Sequence, residues 1–273
     1  MVRSSEGETK PSKNKNQKYK KNTIMEEKKM ELIVLILKVI GFGFVAMMAS
    51  TIIHEGGHVI AGLVQGWKFA IMVIGPIKIY RDEKDDKVKI GIEKNPALWG
   101  GLGGTIPREK SDENLKAYAK ILLAGPIASF VLGGISGICL IFHPSLFVML
   151  MTFMPISMGS ACLLPNAKTG LFYTDGGRYL RIVKGGKTYE EEKALFDAAM
   201  HATFSPEEKY DEKGVETLIA SEDKSFSYMG HYYAYLNAKK EDDAEEMKEQ
   251  IAVMETLRKD IPQAIADMCV VEN

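Results

Sequence analysis

Polar and apolar residues are segregated along this chain. From Leu32 to Ile53 the only charge is Lys38, near the start of the run, where a long side chain can reach the headgroups of a bilayer. The apolar run continues without a proline to Gly66, which predicts one helix over 32–66. At 1.5 Å per residue it would be about 52 Å long, more than a hydrocarbon core of about 30 Å. Two further apolar stretches predict membrane helices at about 117–142 and 145–164, made antiparallel by the short His143-Pro144 link between them. Gly133 and Gly137, four residues apart, offer a close contact between helices. Between Phe69 and Glu93 the period changes to two: Val88, Ile90 and Ile92 alternate with Lys87, Lys89 and Gly91 after a charged turn, which predicts a β-hairpin. The Trp-Gly-Gly-Leu-Gly-Gly stretch from Trp99 to Gly104 is expected to lie outside regular structure, as a flexible or close-approach loop, so that hairpin and loop together occupy about 69–110. After residue 186 the pattern becomes that of soluble helices, with Ala194, Leu195, Ala198 and Ala199 on one face and a helical hairpin over Tyr228–Asn237 and Asp243–Leu257. The expected fold is therefore mainly α and polytopic: three core transmembrane helices with a membrane-associated β-hairpin, then a C-terminal soluble helical domain.

Charge divides the chain in the same way. The 273 residues hold 35 Lys+Arg and 36 Asp+Glu, but residues 1–186 carry 25 basic and 15 acidic side chains, and residues 187–273 carry 10 and 21. Three segments follow: a basic tail over 1–31, a core over 32–182 and an acidic helical domain over 187–273. The tail has nine Lys+Arg and almost nothing that can pack, so it is expected to be disordered next to anionic lipid rather than to bind nucleic acid. A secretory signal is disfavoured, because the basic region is too long and the apolar run passes well beyond 15 residues. Cys139, Cys162 and Cys269 have no metal-ligand spacing and read as small apolar residues. No phosphate-cradling glycine pattern is present, since Gly100–Gly104 does not link a strand to a helix.

One motif carries chemistry. Residues 54–58 read His-Glu-Gly-Gly-His, and two His four residues apart on a helix project from one face and can share a Zn²⁺, with Glu55 beside them as the base for a water. Two imidazoles and a carboxylate in an apolar run are costly unless they face a metal or a polar cavity. A catalytic zinc needs a third protein ligand, and no carboxylate follows the motif until Asp82. Asp175, after the third apolar helix, is the candidate, because an odd number of crossings brings it to the membrane face where the first helix ends. An Asp-Gly pair is also a common turn. His143, His201 and His231 have no such partner and read as surface or core polar residues.

His54-Glu55-Gly56-Gly57-His58, Leu123-Ala124-Gly125-Pro126, and Leu163-Leu164-Pro165 followed by Asp175-Gly176-Gly177 together resemble the site-2 protease family of intramembrane zinc metalloproteases, over about residues 32–182. The resemblance implies zinc held by His54, His58 and Asp175, with Glu55 activating the water. It also implies a hairpin and glycine-rich loop that hold an unwound substrate as an added strand, and a catalytic face toward the cytosol in a multi-pass protein of the cell membrane. Family members usually show Asn-x-x-Pro with the Asp-Gly pair close behind. Here Cys162 takes the Asn position, and nine residues separate Pro165 from Asp175. The expected activity is hydrolysis of a peptide bond in or near the transmembrane segment of a membrane protein or peptide precursor, with substrate contacts unassigned. The alternative is a non-proteolytic membrane adaptor with a vestigial zinc site that recruits a protein partner through its C-terminal helices.

Overall fold

A computed structural model describes residues 13–82, 85–166, 168–169, 172–269 and 271. It is mostly helical, with a small antiparallel sheet. The chain divides into two units, residues 1–45 and 46–273. The first helix, α1, runs from Lys13 to Val64, and the second unit contains everything that follows it.

The helical start at Lys13 corrects the expectation of a disordered tail for residues 13–31; residues 1–12 lie outside the described residues. Once an apolar helix is nucleated, adding residues is cheap, and Lys13–Glu31 contains neither Gly nor Pro to stop it. Among the described residues two helices are long and apolar enough to cross a bilayer, α1 over Lys20–Val64 and α2 (Asn114–Phe142). A shorter apolar helix, α3 (Leu146–Cys162), follows after Ser145, whose hydroxyl caps it by accepting from Val148 N at 3.3 Å. The anticipated contact at Gly133 and Gly137 is present. A Cβ at 133 would lie 3.1 Å from Ile156 Cδ1 and from the Thr152 carbonyl, and one at 137 would lie 3.4 Å from Thr152 Cγ2, so α2 meets α3 across a strip without side chains.

Between α1 and α2 the sheet has the order β3-β2-β1-β4, built from β1 (Lys68–Ile74), β2 (Ile77–Arg81), β3 (Val88–Ile92) and β4 (Leu102–Ile106). Ile77 faces Ile92 and Ile79 faces Ile90, so the alternation read from the sequence becomes a ladder of apolar pairs. β4 corrects the reading of Trp99–Gly104 as irregular. It pairs antiparallel with β1, Met72 opposite Gly103, with a register shift between Phe69 and Ile71. Glycine weakens a strand in isolation but is favoured where another backbone passes close. Here the close neighbour is α1: a Cβ at Gly103 would lie 2.6 Å from the Glu55 carbonyl oxygen.

After α3 a short hairpin, β5 (Lys168–Thr169) with β6 (Phe172–Tyr173), leads into α4 (Asp175–Lys184). The remaining helices are α5 (Lys187–Phe204), α6 (Glu212–Ile219), α7 (Lys224–Lys240), α8 (Ala244–Leu257) and α9 (Gln263–Met268). Leu218, Phe226 and Ile265 are the fully buried members of the core they share. A second core joins this layer to the rest, with Phe196 and Met200 of α5 packed among Trp67, Leu115, Leu122 and Ile182.

Overpacking the α2–α3 seam is therefore expected to cost stability where a neutral position nearby does not. Gly133→Val should lower the thermal midpoint in detergent, at a cost of about 1–3 kcal/mol. Gly134→Ala, with nothing within 4 Å of its Cβ, should leave the midpoint unchanged.

Candidate metal centre

His54 and His58 stand one turn apart on α1, 4% and 7% exposed, with their rings edge-on at 5.0 Å and 83°. Both are oriented by α2. His58 Nδ1 lies 2.8 Å from the Ile121 carbonyl, which can only accept, so Nδ1 carries the proton and Nε2 presents a lone pair. His54 Nδ1 lies 3.0 Å from the fully buried Ser129 Oγ, and the same tautomer there leaves its Nε2 free. Asp175 Oδ2 meets both free nitrogens, at 3.2 Å from His54 Nε2 and 3.4 Å from His58 Nε2.

The three donor atoms lie within 4.8 Å of one another, and among the described residues no other group of three or more His, Cys, Asp or Glu side chains could share an ion in this way. Tetrahedral zinc with bonds of 2.0–2.1 Å requires donors separated by about 3.3 Å. The two distances to Oδ2 match that spacing, and the edge-on rings send their lone pairs in from different directions. Each imidazole also has the outer hydrogen bond that metal-ligating His residues use to fix tautomer and orientation. The residues thus fit a zinc ion.

Backbone proximity sets the positions. Gly57 lets α1 approach α2: a Cβ there would lie 2.6 Å from the Ala124 carbonyl oxygen. Gly125 makes room for the His58 ring, since a Cβ at 125 would lie 2.6 Å from Cε1 and 2.8 Å from Cδ2. The nine residues between Pro165 and Asp175 include the β5–β6 hairpin. At its end Thr174 Oγ1 donates to the Leu164 carbonyl at 2.6 Å and accepts from Gly177 N at 3.2 Å, capping α4 and returning Asp175 to the end of α3. A longer linker therefore does not displace the carboxylate.

Glu55, half-buried, points to β4. A Cβ at Gly103 would lie 2.9 Å from Glu55 Oε2, and one at Gly101 would lie 2.5 Å from Glu55 Oε1. The acid beside the two ligands is thus held under an edge strand whose outer side is open. His143, His201 and His231 lie elsewhere: His143 is exposed at the end of α2, His201 contacts the Glu208 carbonyl at 2.8 Å, and His231 contacts Gln250 Oε1 at 2.6 Å.

Sequence reasoning missed Ile121 and Ser129. Both lie four residues from Gly125, so Ile121, Gly125 and Ser129 share one face of α2, and that spacing was the available signal. It also missed Tyr118, Arg178, Arg181, Glu191 and Glu192, which form a buried cluster next to Asp175. Nothing in the linear order marks those pairings.

The family model described as Peptidase family M50 matches residues 42–269. No curated protein and no solved structure matches the chain. The match takes in the His-Glu-Gly-Gly-His motif, the sheet, both apolar helices after it, Asp175 and α5 to α8. With five-sixths of its length under one family model, this chain belongs to peptidase family M50, the site-2 protease family of metallopeptidases.

Proposed function

We propose that the protein is an intramembrane zinc endopeptidase that cuts a membrane-spanning protein or membrane-docked peptide precursor in or near the bilayer. The observation that carries this reading is the convergence of His54 Nε2 and His58 Nε2 on Asp175 Oδ2, with both imidazoles held from behind by α2. His54, His58 and Asp175 hold the ion. When bound, zinc supplies a water of lowered pKa and polarises the scissile carbonyl. Glu55 would serve as the base toward the attacking water and pass the proton to the leaving amine, its carboxylate lodged against the β4 backbone at Gly101 and Gly103. Retention of Glu55 argues against an adaptor with a vestigial site.

Substrate enters along β4, the edge of the sheet beside Glu55. A helical peptide hides its scissile carbonyl in hydrogen bonds, and pairing as an added strand exposes it. Contact with lipid is supported by the apolar surface that this chain leaves uncovered. Leu32–Leu37 of α1, and Ile127, Val131, Ile135, Ile138 and Ile141 of α2, are exposed. So are Val88, Ile90 and Ile92 on β3, which supports the reading that the hairpin lies against the bilayer. We place α1, α2 and α3 across the membrane as three crossings, with the catalytic face toward the cytosol. The functional division is a basic segment over 1–31, a protease core over 32–182 and an acidic helical segment over 187–273.

Wild type, Glu55→Gln and Asp175→Ala, purified in detergent, test this through bound zinc and cleavage of a transmembrane reporter measured together. Glu55→Gln should keep zinc and lose at least about 100-fold in cleavage, and Asp175→Ala should lose both. Cleavage that survives Glu55→Gln overturns the protease reading. Gly125→Ala, which pushes a methyl into the His58 ring, should weaken zinc binding about tenfold or more in a chelator competition. The chain should also stay in the membrane pellet after alkaline carbonate extraction, and its release would overturn the three crossings.

A further inference from the structure

The acidic helical segment follows α4, the helix that carries Asp175, and its first helix contributes two buried carboxylates. Glu192 on α5 is fully buried and has both oxygens occupied by arginines of α4: Arg178 Nε donates to Oε2 at 2.9 Å, and Arg181 Nε donates to Oε1 at 2.9 Å. Arg181 Nη2 also donates to Glu191 Oε2 at 2.6 Å. A carboxylate this far from water is tolerated only when charge and hydrogen bonds compensate it, so the pairing is specific in geometry: a slide or rotation of α4 breaks both arginine contacts at once. A ten-residue helix such as α4 is marginal alone and depends on contacts of this kind.

Arg178 lies three residues after Asp175, on the adjacent turn of α4. Its Nη1 donates to the Tyr118 hydroxyl at 2.6 Å, and its guanidinium sits 5.1 Å from the Tyr118 ring centroid. Tyr118 belongs to α2, one turn before Ile121, whose carbonyl orients His58. The Tyr118 ring lies 5.2 Å from that of Phe196 on α5. The helix that aims the imidazoles is thus also the one against which α4 is clamped.

We propose that Arg178 and Glu192 are positioning residues of the metal centre: their buried ion pair, braced on Tyr118, sets α4 so that Asp175 Oδ2 meets His54 and His58. The first helix of the acidic segment is then a working part of the metal site. This inference rests on the zinc reading above and adds to it which residues hold the third ligand in place.

The test uses the full chain in detergent. Zinc dissociation constants are measured by chelator competition for wild type, Glu192→Gln and His231→Ala, together with the visible d–d absorption of bound Co²⁺, whose intensity falls when a tetrahedral site loses a protein ligand. Glu192→Gln should raise the zinc Kd about tenfold and weaken the Co²⁺ bands toward those of Asp175→Ala. His231→Ala removes the α7–α8 contact to Gln250 in the same helical layer and should lower the thermal midpoint while leaving Kd and bands unchanged. Tyr118→Phe, which removes one hydroxyl, serves if Glu192→Gln does not fold, and should raise the Kd about threefold. An unchanged Kd in the foldable variant overturns the clamp, as does an equal shift in His231→Ala. Wild type that binds no zinc overturns the metal reading itself, and the clamp with it.

Discussion

Two imidazoles withdrawn from water in an apolar helix must find partners, and the second unit of this molecule is arranged around supplying them. Ser129 and the Ile121 carbonyl take the Nδ1 sides of His54 and His58, and Asp175, 121 positions beyond His54, takes the Nε2 sides. Without the carboxylate, two buried nitrogens would face each other with no counter-charge and no shared ligand. With it, the carboxylate oxygen stands 3.2 and 3.4 Å from the two nitrogens, near the donor separation of a tetrahedral ion.

α2 is the reference element for that geometry. Along one face it offers the Ile121 carbonyl, the gap at Gly125 and the Ser129 hydroxyl, and each meets a His of α1. Gly57 lets the two helices come close enough for these bonds to form. On the other side of α1, Gly101 and Gly103 bring the β4 backbone down to Glu55. Glu55 and the His pair therefore sit on one helix but face different partners, Glu55 the sheet edge and the His pair α2.

The charge asymmetry of the chain has a local counterpart. Arg178 and Arg181 lie near the end of the basic portion, Glu191 and Glu192 near the start of the acidic one, and these four side chains pair across the junction with little exposure to solvent. Much of the remaining acidic charge is on exposed faces and contributes solubility rather than fixed geometry.

The sequence alone determined the elements and the chemistry. Long uncharged runs without proline form helices, alternation at 88–92 puts the apolar residues on one side of a strand, and His-Glu-Gly-Gly-His on a helix aims two imidazoles one way, because each of these follows from the local repeat of the backbone. It misread what depends on neighbours. The 13–31 segment is helical because an adjacent nucleus extends it, and Leu102–Ile106 is a strand because glycine fits beneath α1 and beside β1, a benefit invisible to propensity. Asp175 could be named from the sequence as a candidate, but an Asp-Gly pair after a longer linker is locally a turn. Only the tertiary structure decided that the β5–β6 hairpin takes up the extra residues and returns the carboxylate to the two His, because contacts between residues more than a hundred positions apart are set by how helices pack and not by any pattern along the chain.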